Sequence, residues 1–137
     1  MGLIRTVLVL SGLAFLGFGV AFLVNPDPLA QAMKIRLVDP RAYAELRAMY
    51  GGLEVGLGLF FIVSAGRTRW MRAALGAQVL TFLGLAGGRL VGILMMPRSD
   101  SLMLLFLGIE LVAGLIGLIT FLRVKTVLLH TVNHRLL

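Results

Sequence analysis

The chain has 137 residues, 59% of them hydrophobic and only 14% charged, with a mean hydropathy of +1.00 and a formal net charge of +7. A soluble domain is about 25% charged, so this composition excludes an ordinary soluble fold and marks membrane spans. There are no cysteines, which removes disulfides, thiolate metal sites and cysteine nucleophiles. The basic residues gather at the ends of apolar runs, without a basic stripe interleaved with aromatics. Anionic lipid headgroups explain them better than nucleic acid, which is not expected as a partner.

Four apolar runs follow in chain order. The first, uncharged, covers residues 6–26; the second covers about 48–66 and holds one charge, Glu54. The third covers about 73–97 and contains Arg89, and the fourth covers about 101–122 and contains Glu110. Each approaches the ~20 residues that a helix needs to cross a hydrocarbon core of ~30 Å. Lipid offers no partner to backbone amides, so the spans must be helices. The expected fold is all-α, a four-transmembrane-helix bundle forming a single membrane domain over residues 1–137.

The first run begins after Met1 and Arg5, and Ala30-Gln31-Ala32 resembles a signal cleavage site. The run exceeds the apolar core of a signal peptide, so it reads as a retained first span. Basic residues near the span ends set the orientation. One side carries Arg5, Arg67, Arg69, Arg72, Arg123, Lys125 and Arg135, and the other Lys34, Arg36, Arg41, Arg47 and Arg98. The short second loop, residues 67–72, is purely basic, which places it and both termini in the cytoplasm of a plasma (inner) membrane protein. Trp70 fits the interfacial aromatic belt there, with Tyr43 and Tyr50 near the opposite face.

The first loop is the long one. Asp27-Pro28 and Asp39-Pro40 each join a capping carboxylate to proline at the first helical position. The first pair predicts a short interfacial helix over 29–37, and the second a helix running on into span two. Residues 124–137 suit an amphipathic cytoplasmic tail, with Val124, Val127, Leu128 and Thr131 toward lipid. A faint repeat pairs Glu54 with Glu110, Gly52 with Gly108, Gly58 with Gly114 and Arg67 with Arg123, as a parallel duplication would.

An ionisable residue within a span costs on the order of 2.5–3.5 kcal/mol on insertion scales, so it is rarely incidental. In the second span the apolar side chains barely offset Glu54, which predicts that this span depends on a partner for the carboxylate. Counted from the non-cytoplasmic ends of their spans, Glu54, Arg89 and Glu110 all lie ~12 Å deep. One buried Glu–Arg–Glu cluster on three helices is expected. Arg47 and Tyr50, seven and four residues before Glu54, fall on its face and extend the cluster outward. If Arg47 turns inward all four charges pair; if it is drawn to the interface, two carboxylates face one guanidinium. The plainer reading of such a cluster is polar glue that fixes helix register; the alternative is a site for a ligand or proton.

Small residues four apart let membrane helices approach closely. Gly84, Gly88 and Gly92 in span three, and Ala48, Gly52 and Gly56 in span two, are the expected packing faces, within the chain or in a homo-oligomer. His130 and His134 lie one helical turn apart, but no Asp, Glu or Cys completes a metal set. The methionines read as lipid-facing filler. No phosphate loop, nucleophile elbow or triad is visible, so no catalytic residue, metal ligand or cofactor is assigned.

The segment Arg47-Ala48-Met49-Tyr50-Gly51-Gly52-Leu53-Glu54, with Gly88-Arg89 and Glu110, resembles a family of small bacterial four-span membrane proteins of unknown function. The likeness covers about residues 3–123. It implies a four-helix membrane fold with Arg47, Tyr50, Glu54, Arg89 and Glu110 as signature positions, and no established activity. More loosely, the layout is similar to DoxX-like proteins and to the small four-span scaffold proteins of sterol synthesis. The leading functional expectation is a non-enzymatic accessory or scaffold subunit, with membrane lipids and a membrane-protein partner around it. The alternative is a binding or transport protein for a lipid, quinone or proton. A cavity lined by Tyr50, Glu54 and Arg89 would favour binding; a dry, fully paired cluster would favour the scaffold. An enzyme ranks third.

Overall fold

Asp39 and Pro40 open the longest interrupted helix of the chain as their chemistry dictates: the Asp39 side chain accepts from the Arg41 N–H at 2.7 Å, and proline fills the first position. The computed structural model describes residues 2–95 and 100–133, with side chains through Arg123. Every element among the described residues is a helix. In chain order these are α1 (Gly2–Val24), α2 (Asp27–Ala32), α3 (Pro40–Leu46), a π-helical segment (Arg47–Gly52), α4 (Leu53–Ala65), α5 (Thr68–Leu94) and α6 (Ser101–Asn133). The α3, π and α4 segments are continuous. They form one of four helices long and apolar enough to cross a membrane, Gly2–Val24, Pro40–Ala65, Thr68–Leu94 and Ser101–Arg123.

The interfacial helix departs from expectation at both ends. Asp27 lies inside α2 instead of capping it, and its N–H bonds the Asn25 side chain. The helix stops at Ala32, short of residue 37, because Lys34 takes a left-handed φ of 59°. The Lys34 N–H bonds Gln31 O and the Ile35 N–H bonds Ala30 O, the paired reverse bonds of a Schellman stop. Lys34 then meets Asp100 at 2.6 Å, tying the first loop to the start of α6. Asp100 caps that helix, accepting from the Leu102 N–H at 2.9 Å. The Lys34 ammonium and the Leu102 N–H hold the Asp100 carboxyl below the usual carboxylate range.

Helices α1 and α4 form one antiparallel hairpin and α5 and α6 the other, each pair packed more extensively than any contact across the two. The first hairpin closes through glycine. A Cβ on Gly58 would lie 2.8 Å from Gly12 O, and one on Gly19 would lie 2.9 Å from Gly51 O. In the second, Gly114 faces Leu83 and Gly117 faces Gln78, whose Nε2 donates to Ala113 O at 3.1 Å. The glycines expected from the sequence to pack are elsewhere. Within this chain a Cβ on Gly56, Gly84, Gly88 or Gly92 meets nothing within 4 Å, and one on Gly52 meets only Arg47 O of its own helix. The core between the hairpins is aromatic, with Phe15 edge-on to Phe61 and Phe82 at 5.8 and 5.3 Å. Helix α6 continues without a break into the tail, through Asn133. The side chains of that tail, the His130–His134 pair included, lie outside the described residues.

Candidate functional site

The three intramembrane charges are brought to one place. Tyr50, Glu54, Arg89 and Glu110 line a single cavity of about 170 Å³ between the two hairpins. A water needs roughly 10–15 Å³ by the same kind of measure, so the space suits several waters or a small polar head. Helix spacing explains who lines it. Phe82 and Leu85 precede Arg89 by seven and four residues, Phe106 precedes Glu110 by four, and on α1 Phe18 follows Ala14 by four; all five border the cavity. Met33, from the turn after α2, also borders it. This apolar and aromatic wall was not singled out from the sequence, although the same one-turn spacing applied to the charges would have pointed to it.

The charges inside are paired unequally. Arg89 grips Glu110 with both arms of its fork, Nε to Oε2 at 2.9 Å and Nη2 to Oε1 at 2.5 Å. Its remaining Nη1 donates to the Met103 sulfur at 3.5 Å, and its guanidinium stands over the Phe106 ring at 5.1 Å. Glu110 is buried. Bidentate pairing of this kind is what lets a guanidinium and a carboxylate persist away from water. Glu54 is different: half-buried at the cavity wall, it has no hydrogen bond or ion pair among the described residues. Tyr50 stacks on Phe22 at 5.2 Å, and its hydroxyl makes no hydrogen bond among the described residues.

Arg47 does not join the cluster. Its Nε donates to Leu23 O at 3.1 Å, one of the orphan carbonyls at the end of α1, where a cation also meets the negative end of the helix dipole. The reason is the π-helical segment that begins at Arg47, closed by the Leu53 N–H bonding Ala48 O five residues back. One extra residue in the turn offsets positions on either side by ~100°, so Arg47 and Glu54 no longer share a face. Of the two charge arrangements open from the sequence, the one with two carboxylates and one guanidinium is found.

Four helices able to span a bilayer, with a charged cavity between two hairpins, define a small multi-pass membrane protein. The chain belongs to a family described as a domain of unknown function, DUF4345, whose model matches residues 3–121. No curated protein and no solved structure is significantly similar to it. The matched region contains every residue of the cavity and all of the four spans but Gly2, Leu122 and Arg123 at their outer ends.

Proposed function

We propose that this protein binds a membrane amphiphile, whose polar head occupies the cavity of Tyr50, Glu54, Arg89 and Glu110. The observation that carries the proposal is Glu54, a carboxyl at the wall of an intramembrane cavity without a hydrogen-bond or ion-pair partner among the described residues. A register-fixing cluster has every charge satisfied, because an unmatched one destabilises the bundle it is meant to hold. Here that role is filled by the Arg89–Glu110 pair alone, which leaves Glu54 and the Tyr50 hydroxyl to meet something else. An unmatched carboxyl at a cavity suits a binding protein better than an accessory subunit. Aromatic walls with a few convergent polar groups are the usual make-up of a small-molecule site. Within this proposal the protein sits in the plasma membrane with both termini in the cytoplasm, as the basic second loop argues, and the cavity lies toward the opposite side.

Purification in a mild maltoside detergent, followed by mass spectrometry of the intact complex, tests the reading. Wild-type protein is expected to retain a stoichiometric small molecule from the membrane, and Glu54→Gln to lose most of it while melting like wild-type protein stripped of that molecule. Wild-type protein that comes through the same purification with no retained molecule, and binds none when lipid is added back, overturns it.

A further inference from the structure

The cavity does not end at its charges. A second and larger space of about 680 Å³ lies between α1, α5 and α6, and it shares Ala14, Phe82 and Ile109 as walls with the first. Its other walls are apolar except for Ser11 and Gln78. On α6 it reaches from Leu104 to Ile116, twelve residues, or ~18 Å of helix at 1.5 Å each. Its rims are open to the surrounding medium: Leu10 is 62% exposed, Leu105 57% and Val112 56%. The opening exists because α1 and α6 meet only sparsely, each being committed to its own hairpin.

Resting on the binding role proposed above, we infer that one ligand fills both spaces, a single-chain amphiphile whose head donates hydrogen bonds and carries no negative charge. Three observations converge on it. The groove on α1 runs from Ala14 back to Val7, whereas the charged cavity runs from Ala14 on to Phe18 and is bordered by Met33 of the first loop. On α5 the groove is likewise walled by Gln78 and Phe82 and the charged cavity by Phe82, Leu85 and Arg89, while on α6 the groove runs past Glu110 on both sides, from Leu104 to Ile116. Along α1 and α5 the polar end thus lies nearer the loop-side surface, the polarity of a lipid in that leaflet. The groove is bounded by three helices, and its ~18 Å run along α6 is long enough for an extended hydrocarbon chain. The head chemistry follows from the charge count. Both arms of the Arg89 fork that face Glu110 are already filled, so a phosphate or carboxylate head finds no free fork and meets the Glu54 carboxyl. An amine or alcohol head instead supplies the donor that Glu54 lacks. Acyl chains of the bilayer are as apolar as the groove, so the groove selects shape and adds little affinity.

Retention of three sixteen-carbon probes in detergent, read by mass spectrometry of the intact complex, tests the inference: hexadecylamine, hexadecanol and palmitate. Hexylamine, too short to enter the groove, reports on the head site alone. The amine or the alcohol is expected to outcompete palmitate by roughly tenfold, an advantage on the scale of one charge-assisted hydrogen bond. Gly108→Leu fills the groove at a position where a Cβ meets nothing within 4 Å, and an unchanged melting temperature checks that the bundle tolerates it. In that variant retention of the long probes should fall about as far, with hexylamine unchanged. Palmitate retained as well as the amine and the alcohol overturns the head chemistry. Long probes unaffected by Gly108→Leu overturn the groove while leaving the head site standing. If hexylamine and the long probes all fail to bind wild-type protein, the binding role itself fails.

Discussion

Arg89 and Glu54 stand at one cavity but differ in what their loss does. Arg89→Leu leaves Glu110 buried without its two donors, and removing one partner of a buried pair costs about 3–5 kcal/mol. A melting curve in detergent should show a large drop for Arg89→Leu and a smaller one for the double variant with Glu110→Leu, which removes both charges. Glu54→Leu should leave the melting temperature unchanged or raise it, since no internal partner is lost. A fall comparable to that of Arg89→Leu would mean that Glu54 is paired within the bundle. The depth of the three charges was legible in the sequence because helical rise turns residue count into distance. Their pairing was not. Glu54 and Glu110 are equivalent by spacing, and only the rotation of α4 after the π segment and the approach of α6 to α5 decide which carboxyl Arg89 takes. Within the described residues Glu54 finds no partner, and the close approach of span two to α1 runs through Gly51 and Gly58.

The four spans, the Asp39–Pro40 start and the run-on into span two were legible because hydropathy and capping are local properties. The close-packed glycines were not, because spacing says only that a small-residue face exists, not what lies opposite. Gly12, Gly19, Gly51 and Gly58 meet backbone or side chains of the neighbouring span, while Gly56, Gly84, Gly88 and Gly92 look into open space. Two sets of substitutions should therefore separate cleanly. Gly12→Ala or Gly58→Ala forces α1 and α4 apart against carbonyl oxygens that cannot swing away, and overpacking of this kind costs about 1–3 kcal/mol. Gly56→Ala or Gly84→Ala should be neutral or stabilising by up to about 1 kcal/mol, through helix propensity. Loss of stability in the second set, appearing only at concentrations where the protein self-associates, would assign that face to contact between chains. The sequence repeat has a counterpart at this scale. Gly58 packs on Leu16 and Gly114 on Leu83, so the glycine four residues after each glutamate seats against the preceding span in both hairpins.

At the scale of the whole molecule the two hairpins leave a cavity nearer one membrane surface, and which surface that is decides where a ligand arrives. The four spans run up, down, up and down, so α1 starts and α6 ends on the same side as the loop of residues 66–67. That side carries Arg5, Arg67, Arg69, Arg72 and Arg123, and Arg67 stands over the Trp70 ring at 4.9 Å, an amphipathic pair suited to the headgroup layer. The opposite side carries Lys34, Arg36, Arg41, Arg47 and Arg98, but Lys34 is neutralised by Asp100 and Arg47 is engaged by Leu23 O. The short, purely basic α4–α5 loop is the reason for the proposed orientation with that side in the cytoplasm, which is a prediction to be tested. Single cysteines introduced at Thr68 and at Gln31, in a chain that has none of its own, read the orientation directly. An impermeant maleimide applied to intact cells should label the cysteine at position 31, with position 68 reacting only after the membrane is broken. Labelling at 68 and not at 31 would turn the molecule over, and the cavity would then receive its ligand from the cytoplasmic leaflet.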